Sequence, residues 1–529
     1  MIKLKERAIK EEFGNTIFES VAVGSAYELL RHDLMEHLRE IQSELHFKYL
    51  RFHGLFHDDM EVVRRAPDGT LAYQWHHVDK ITDNMLSVGL KPFFELNSMP
   101  QPLASAETYA CFWKMNTSEP KDYNEWGNLV WHFVSHMVDR YGLDEVKTWY
   151  FEVWNEPNLK GFWPAGMEKY YKLYEYAARA VKKVNSELKV GGPASAGGDY
   201  VVELIDYCSE NNVPIDFIST HAYPIGEYCE YREREGSPYE LGEYFVGRFK
   251  EVKEKVEKSA MPNLEIHWTE WNTQSGNSTK NISWVCNPTV DQQFGGACVV
   301  KNMLGVRDWC DSVAYWTASD VFAEPGQSHS VFSCTYGLVN IHGIRKATYN
   351  AYKLLRKMRG TVLDCQKDSE YPIGCGMTAT EENGVVRIIA YNQHLLEFET
   401  QPDWKESVEV ALPDGEYIVS SAQIEKGHGS CYETWLEMGA PQNLSKMQEE
   451  LLRYASMPRY EFSKVTSENG SLKVNFNLKG NEVIYIEIQK ADIRALPRNA
   501  DEATMSAWNK AMMLEERGCK KTPECKKRS

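Results

Sequence analysis

The sequence has little of what would direct a chain to a membrane, to a nucleic acid or into an oxidising compartment. No apolar run approaches the roughly 20 residues that span a bilayer. The opening Met1-Ile2-Lys3-Leu4-Lys5-Glu6-Arg7 leads into charged residues without the apolar stretch of a secretory signal. A cytoplasmic protein with no membrane association is the expectation. The 12 cysteines contain no Cys-x-x-Cys pair, and Cys208, Cys298 and Cys310 fall in the apolar patterns of helices or their ends. They read as reduced thiols and not as a disulfide framework.

Basic residues are also scarce: 59 Lys and Arg stand against 76 Asp and Glu, a net charge of −17. Nucleic-acid binding draws its affinity from clustered cations, so this balance argues against such a partner and favours a neutral or cationic ligand. The one basic cluster, Lys520, Lys521, Lys526, Lys527 and Arg528, lies at the extreme C-terminus and reads as a solvated tail. His76-His77 and the dispersed cysteines lack metal-ligand spacing, and neither a metal nor another cofactor is expected. Internal repeats and low-complexity segments are missing too.

What the chain does have is apolar mass and a repeated alternation of period. Its 529 residues exceed one ordinary domain, and a barrel of about 250 to 350 residues with one companion accounts for the length. Strand-like runs occur at Ile17 to Val23, Phe47 to Phe52, Lys91 to Leu96, Val146 to Val153, Lys189 to Gly192, Phe217 to Thr220, Leu264 to Thr269 and Ser312 to Trp316. Between them apolar residues recur at helical spacing, most regularly in Trp126, Leu129, Val130, Phe133, Val134, Met137 and Tyr141. The alternation predicts an α/β fold, a (β/α)8 TIM barrel over residues 15–359.

Beyond Gly360 the period becomes two, as in Leu472, Val474, Phe476 and Leu478, which predicts a β-sandwich over 360–490, with residues 1–14 assigned to it. Pro413-Asp414-Gly415 reads as a hairpin-type turn, and Ser445-x-x-Gln448 as a capping box opening a helix. Residues 491–529 hold a short helix near Met505 to Leu514 and then the basic tail.

The stretch that organises the barrel is Trp154-Asn155-Glu156-Pro157-Asn158, which closes the fourth strand. Glu-Pro alone is an ordinary turn, but Glu270 closes another strand, in His267-Trp268-Thr269-Glu270-Trp271-Asn272. Two acids at the C-terminal ends of barrel strands stand where catalytic groups project. Breaking a glycosidic bond needs one group to protonate the departing oxygen and another to answer the positive charge at the anomeric carbon, and two carboxyls are enough. The charge of one is expected to raise the pKa of the other. His53 and His221 also end strands. Trp316, two residues past Ala314, reads as core or as a platform at the mouth.

Asn155-Glu156-Pro157 with the strand-seven Glu270 resembles the retaining barrel glycosidases, and within them family 39 of the glycoside hydrolases, whose β-xylosidases match best. The resemblance runs through Tyr49-Leu50-Arg51-Phe52-His53-Gly54 with Asp58-Asp59-Met60, Phe94-Glu95-Leu96 with Met99-Pro100, and Leu103-Ala104-Ser105. It continues through Trp154 to Leu159, Ser219 to Pro224, Thr269 to Asn272, and Trp316 to Phe322. It implies Glu156 as acid/base, Glu270 as nucleophile and Asn155 as the residue that holds the sugar 2-hydroxyl. It further implies His53, His221 and Trp316 as lining of the glycone pocket, Tyr223 as support for the nucleophile and Glu324 as a hydroxyl ligand. The β-xylosidases show two acids after Asp-Val-Phe, whereas this chain has Ala323-Glu324, which bears on the outer hydroxyl contacts.

The resemblance implies an exo-acting β-xylosidase taking small carbohydrate substrates. A β-glucoside, β-galactoside or α-L-arabinopyranoside on the same machinery is the alternative. An α-L-iduronidase would call for a basic residue facing the substrate carboxylate, and the motifs hold none in that place. A non-catalytic carbohydrate-binding protein would have no need of both Glu156 and Glu270. The resemblance and the extra C-terminal segment also hint at a homo-oligomer.

Overall fold

A strand buried on one face and a helix with one apolar stripe each need a partner surface, and eight such pairs satisfy one another by closing into a ring. The computed structural model describes residues 2–10, 12–224, 241–273, 290–327, 330–367, 370–393 and 402–491. In it, β1 (Ser20–Ser25), β2 (Tyr49–His53), β3 (Lys91–Leu96), β4 (Tyr150–Val153), β5 (Lys189–Ser195), β6 (Phe217–Ala222), β7 (Glu265–Trp271) and β8 (Ser312–Trp316) form a closed barrel. Every pairing in it is parallel. The helices α1 (His32–Glu44), α2 (His76–Ser87), α3 (Tyr123–Tyr141), α4 (Met167–Val184), α5 (Val201–Asn211), α6 (Leu241–Glu257), α7 (Gln293–Val306) and α8 (Ala347–Lys357) alternate with the strands. The expected barrel is present strand for strand. Three strands begin clearly later than their patterns: β1, because Thr16–Phe18 wind into a short 3₁₀ turn that buries Ile17 and Phe18, β2, which starts at Tyr49, and β4, which starts at Tyr150 because Leu143–Val146 is helical.

Helix α3 shows how the sequence writes the outer layer. Trp126, Leu129, Val130, Phe133, Val134 and Met137 are all buried. The Asp122 side chain accepts the Asn124 N–H at the start, and Gly142, at φ 82°, ends the helix. The Trp126 indole N–H donates to the Leu173 carbonyl on α4 at 3.2 Å, tying neighbouring helices together.

The second region is one ten-stranded sheet. It contains the N-terminal strand Ile2–Lys10 and β9 (Thr361–Lys367), β10 (Cys375–Glu382), β11 (Val385–Asn392), β12 (Trp404–Ala411), β13 (Gly415–Lys426), β14 (Gly429–Ser430), β15 (Arg459–Ser467), β16 (Ser471–Leu478) and β17 (Glu482–Lys490). Its order is β14-β13-β17-β11-β10-β9, then the N-terminal strand, β12 and β16, with β15 on β13. The sheet curls on itself, so that Trp404 and Phe476 from one end share a core with Ile484 and Ile486 from its middle. The two layers of the expected sandwich are thus parts of one sheet. Ile389, Ala422, Ile424, Val483 and Tyr485 face the other way and join the barrel core.

Pro413-Asp414-Gly415 does not close a hairpin. The flanking strands β12 and β13 pair with other strands and not with each other. The Asp414 carboxylate accepts the Gly470 N–H at 2.7 Å, which holds the turn as a crossing from one layer to the other. The capping box is present: Ser445 and Gln448 bond reciprocally at the start of the helix Lys446–Ala455. The expected helix near Met505 to Leu514 and the basic tail lie outside the described residues. The eight described cysteines are free thiols, and no described helix is long and apolar enough to cross a membrane.

Behind the loop that follows β8, the buried Lys346 ammonium sits 2.6 Å from Asp291 and 2.8 Å from Asp320. It also donates to the Thr335 carbonyl at 2.7 Å. Lys346→Met leaves two buried carboxylates without a counter-ion and should lower stability by about 3 to 5 kcal/mol. A thermal melt within about 1 °C of the parent would contradict this role.

Candidate active site

Side chains alternate across a strand, so residues two apart point into the barrel and stack in layers. Tyr49, Phe93, Tyr150 and Phe217 form the lowest layer, an aromatic plug that His267 completes with its ring 4.7 Å from Tyr150. Two residues further along each strand come Arg51, Glu95, Glu152, Ser219 and Thr269, all buried. Above them lie His53, Asn155, Glu156, His221 and Glu270. The plug keeps water from the charged layer, which strengthens every interaction there.

Arg51 organises that layer. Its Nε donates to Glu152 at 2.6 Å, Nη1 to Glu270 at 2.7 Å and Nη2 to Asn155 Oδ1 at 2.9 Å, while Nη2 also stands 2.5 Å from Glu95. The planar guanidinium can meet several acceptors in fixed directions, which an ammonium cannot.

Glu270 reaches the interior by a break in the strand rule. His267 and Thr269 point inward, and the next inward position by simple alternation would be Trp271. The pairing of β7 with β6 shifts between Thr220 and His221, however, and that with β8 shifts between Trp268 and Trp271. Such a bulge re-aims a side chain. Thr269 and Glu270 therefore both face the barrel, while Trp268 stacks outward on Phe249 and Trp271 packs on Phe245. Glu270 Oε1 receives Arg51, and Oε2 accepts the Tyr223 hydroxyl at 2.8 Å.

Glu156 is placed by a left-handed turn after β4, with φ of 72° at Trp154 and 42° at Glu156. L-residues adopt such angles at a cost of about 1 to 3 kcal/mol each, and surrounding contacts must impose them. Here the buried Trp154 ring lies against Trp126 and Trp163, its N–H donates to the Phe162 carbonyl, and the Glu156 N–H donates to Ala194. The Glu156 carboxyl faces His221 Nδ1 at 3.0 Å.

Burial is the main cause that pushes Glu156 up to about 7, against the opposing pull of His53 and Arg51. The sequence-based expectation that the second carboxylate would be the cause is replaced by desolvation. Burial likewise holds His53 and His221 down to about 4, so both rings are neutral near pH 7. One oxygen each of Glu156 and Glu270 and a ring nitrogen of His221 lie within 4.8 Å of one another. A cation would find ligand atoms in that trio, but Arg51, Tyr223 and His221 already engage these carboxyls. The short separation of the carboxyls fits the roughly 5 to 5.5 Å of retaining glycosidases and not the roughly 6.5 to 9.5 Å of inverting ones.

At the wall, the Trp316 ring lies 4.6 Å from that of His53 and against Phe322, so it is at once buried and beside the site. Glu324 stands at the rim, half-buried, and its backbone carbonyl accepts the Phe112 N–H at 2.7 Å. Burial first, and then the charges of Glu270 and Glu156, push its carboxyl up to about 8. The adjoining Ala323 N–H donates to the buried Glu28 carboxylate at 2.7 Å.

The structure thus brings Glu156, Glu270, His53, Asn155, His221, Tyr223 and Trp316 to one end of the barrel, with Glu324 within electrostatic reach. Sequence reasoning assigned no role to Arg51, Glu95, Glu152 or Glu28. For the first three a signal existed. Tyr-Leu-Arg-Phe-His, Phe-Phe-Glu-Leu and Tyr-Phe-Glu-Val each set an Arg or a Glu inside an apolar strand. Nothing in the short 3₁₀ segment Tyr27–Leu30 marks Glu28.

Comparison with known proteins agrees with this geometry. The family model described as glycosyl hydrolases family 39 matches residues 1–473. A beta-xylosidase of Caldicellulosiruptor saccharolyticus is 36% identical over 480 residues, covering 89% of this chain and 95% of that protein. One from Geobacillus stearothermophilus is 33% identical over 493 residues, covering 91% and 94%. Among solved structures, a monomeric beta-xylosidase from Caulobacter crescentus CB15 superposes with a TM-score of 0.81 at 30% identity, covering 93% of this chain and 99% of that one. A barrel whose strands four and seven present paired carboxyls, matched over nearly its whole length by that family model and by these relatives, makes this chain a glycoside hydrolase that belongs to family 39.

Proposed function

We propose that the protein is a retaining exo-β-xylosidase that releases xylose from short xylo-oligosaccharides, with Glu270 as nucleophile and Glu156 as acid/base. The observation that carries the assignment of roles is the unlike partnering of the two carboxyls. Glu270 accepts from a guanidinium and a phenol on separate oxygens, whereas Glu156 is a buried acid that keeps its proton near neutrality. The choice of xylose is supported by the relatives named beta-xylosidase.

In the first step a Glu270 oxygen attacks the anomeric carbon as the bond to the leaving oxygen breaks, and Glu156 gives that oxygen its proton. Asn155, held by Arg51 through its Oδ1, has its amide N–H₂ free of that contact to meet the sugar 2-hydroxyl. His53, His221 and Trp316 line the glycone pocket. Having given up its proton, Glu156 is left as a carboxylate, and a water takes the place of the leaving group. The carboxylate then takes a proton from that water, which attacks the anomeric carbon and returns Glu270 to its free form. At the rim, Glu324 is the acid left to meet an outer hydroxyl, since Ala323 offers none and its N–H is committed to Glu28.

Three outcomes follow from these roles. An aryl β-D-xyloside should be hydrolysed at least about tenfold faster in kcat/KM than the matching β-D-glucoside, because the relatives that match nearly the whole chain are named beta-xylosidases. Equal or reversed rates would move the assignment to another glycone.

The kcat/KM profile should fall as pH rises through about 7, since Glu156 acts as an acid only while protonated. Glu156→Gln should remove that limb, and a limb that survives the substitution belongs to another group.

Glu270→Ala should cost about 10⁴-fold or more for any leaving group. Glu156→Ala should spare the first step for an activated aryl leaving group, accumulate the glycosyl-enzyme, and be rescued by azide to a β-glycosyl azide through two inversions. An α-azide from the Glu156 variant would reverse the two roles.

A further inference from the structure

Two carboxyls of the charged layer take no part in the chemistry above, and they are partnered differently. Glu152 accepts from two donors, Arg51 Nε at 2.6 Å and the Thr269 hydroxyl at 2.8 Å. Glu95 instead turns both oxygens toward His53 Nδ1, at 2.9 and 3.0 Å, with Arg51 Nη2 2.5 Å from one of them. Arg51 and His53 come from β2, Glu95 from β3, Glu152 from β4, Glu156 from the turn after it, and Glu270 from β7. Among these groups Arg51 is the only fixed cation, and it touches Glu95, Glu152 and Glu270 at once. Three charged carboxylates around one guanidinium, sealed from water, repel one another more than a single cation can offset, so a proton belongs in the layer.

Partner geometry says where that proton lies. Glu270 and Glu152 each receive donors on both oxygens, so neither needs a proton of its own. Of the three carboxyls around Arg51, Glu95 alone has a ring nitrogen within 3.0 Å, His53 Nδ1, and a neutral imidazole has one acceptor nitrogen that can receive its proton. Burial first, with Arg51 opposing and the nearby Glu152 and Glu156 acting in the same sense as burial, holds its carboxyl well above the usual carboxylate range.

We propose that Glu95 is a positioning residue that stays protonated, donates its O–H to His53 Nδ1, and so locks His53 as the tautomer whose Nε2–H faces the glycone pocket. That nitrogen lies 3.5 Å from Glu270 Oε1. A sugar hydroxyl beside His53 is therefore met by a donor and accepts with its oxygen. An ionised Glu95 would take the Nδ1 proton instead and present a bare Nε2, which reverses the polarity of the same contact. The tautomer itself is independent of the proposed reaction. Only the kinetic consequence rests on the xylosidase reading.

The direct measurement is ¹H–¹⁵N correlation of the full-length protein with ¹⁵N-labelled histidine, the His53 signals being those lost in His53→Gln. The proposal expects a protonated Nε2 and a bare Nδ1 around neutral pH, and the opposite pattern overturns it. Glu95→Gln, whose amide N–H can still donate to Nδ1 while its oxygen faces Arg51, should keep the tautomer and hold kcat/KM on an aryl β-D-xyloside within about threefold. Glu95→Leu, which has no donor, should raise KM by about tenfold or more. If Glu95 were a charged counter-ion to Arg51, Glu95→Gln would lose as much as Glu95→Leu, and that result also overturns the proposal. Should Glu95→Leu fail to fold, the parent and Glu95→Gln spectra decide alone. A protein inactive on every xyloside but showing Nε2–H would sink the functional reading and leave this one standing.

Discussion

One guanidinium buried in the barrel sets the geometry of everything above it. Arg51 cannot lose its charge, and taking it out of water is tolerable only if nearly all of its N–H groups find acceptors. The barrel supplies these from three other strands: Glu95 on β3, Glu152 and then Asn155 at the end of β4, and Glu270 on β7. Each partner is thereby held in one orientation. The same side chain that neutralises the middle layer fixes the Glu270 carboxyl and the Asn155 amide at the mouth of the barrel, so stability and site geometry are two results of one set of contacts.

The two carboxyls at the mouth owe their difference to where their chain segments run. Glu270 is turned inward by a bulge and lands on Arg51 and Tyr223, donors that meet it on separate oxygens. Glu156 follows a left-handed turn that puts it above that contact, beside a neutral histidine and away from water. Residues of the same chemical type thus acquire different surroundings. At Glu156 the main influence is desolvation, with Arg51 and His53 as the countervailing ones.

The curled sheet serves the barrel by covering it. Ile389, Ala422, Ile424, Val483 and Tyr485 extend the barrel core across strands β11, β13 and β17, and the Gln293 amide at the start of α7 donates to the Gly480 carbonyl. The loop after β8 is held by the buried Lys346 with Asp291 and Asp320, and by Glu28 on the Ala323 N–H. That loop carries Glu324 to the rim. A sequence departure at Ala323 is therefore read against a fixed backbone, which confines its effect to the side chain that is missing.

The sequence by itself determined the elements and the two acids. Periodicity is a local property: the stripe from Trp126 to Met137 and the alternation from Leu472 to Leu478 can be read because side chains three, four or two apart share a face whatever surrounds them. Glu156 and Glu270 were legible for a related reason, as each closes an apolar strand of a barrel whose strand ends meet at one mouth. The fate of Pro413-Asp414-Gly415 was not legible, because whether two consecutive strands pair depends on where the rest of the sheet runs. Nor was the inward turn of Glu270, since simple alternation points it outward and only the offset pairing of β7 with its neighbours reverses that. The tertiary structure alone decided that Arg51 joins Glu95, Glu152, Asn155 and Glu270 across as many as 219 positions of sequence. The physical reason is that protonation and charge in a dry cavity are set by distances between side chains, and those distances exist only after the barrel closes.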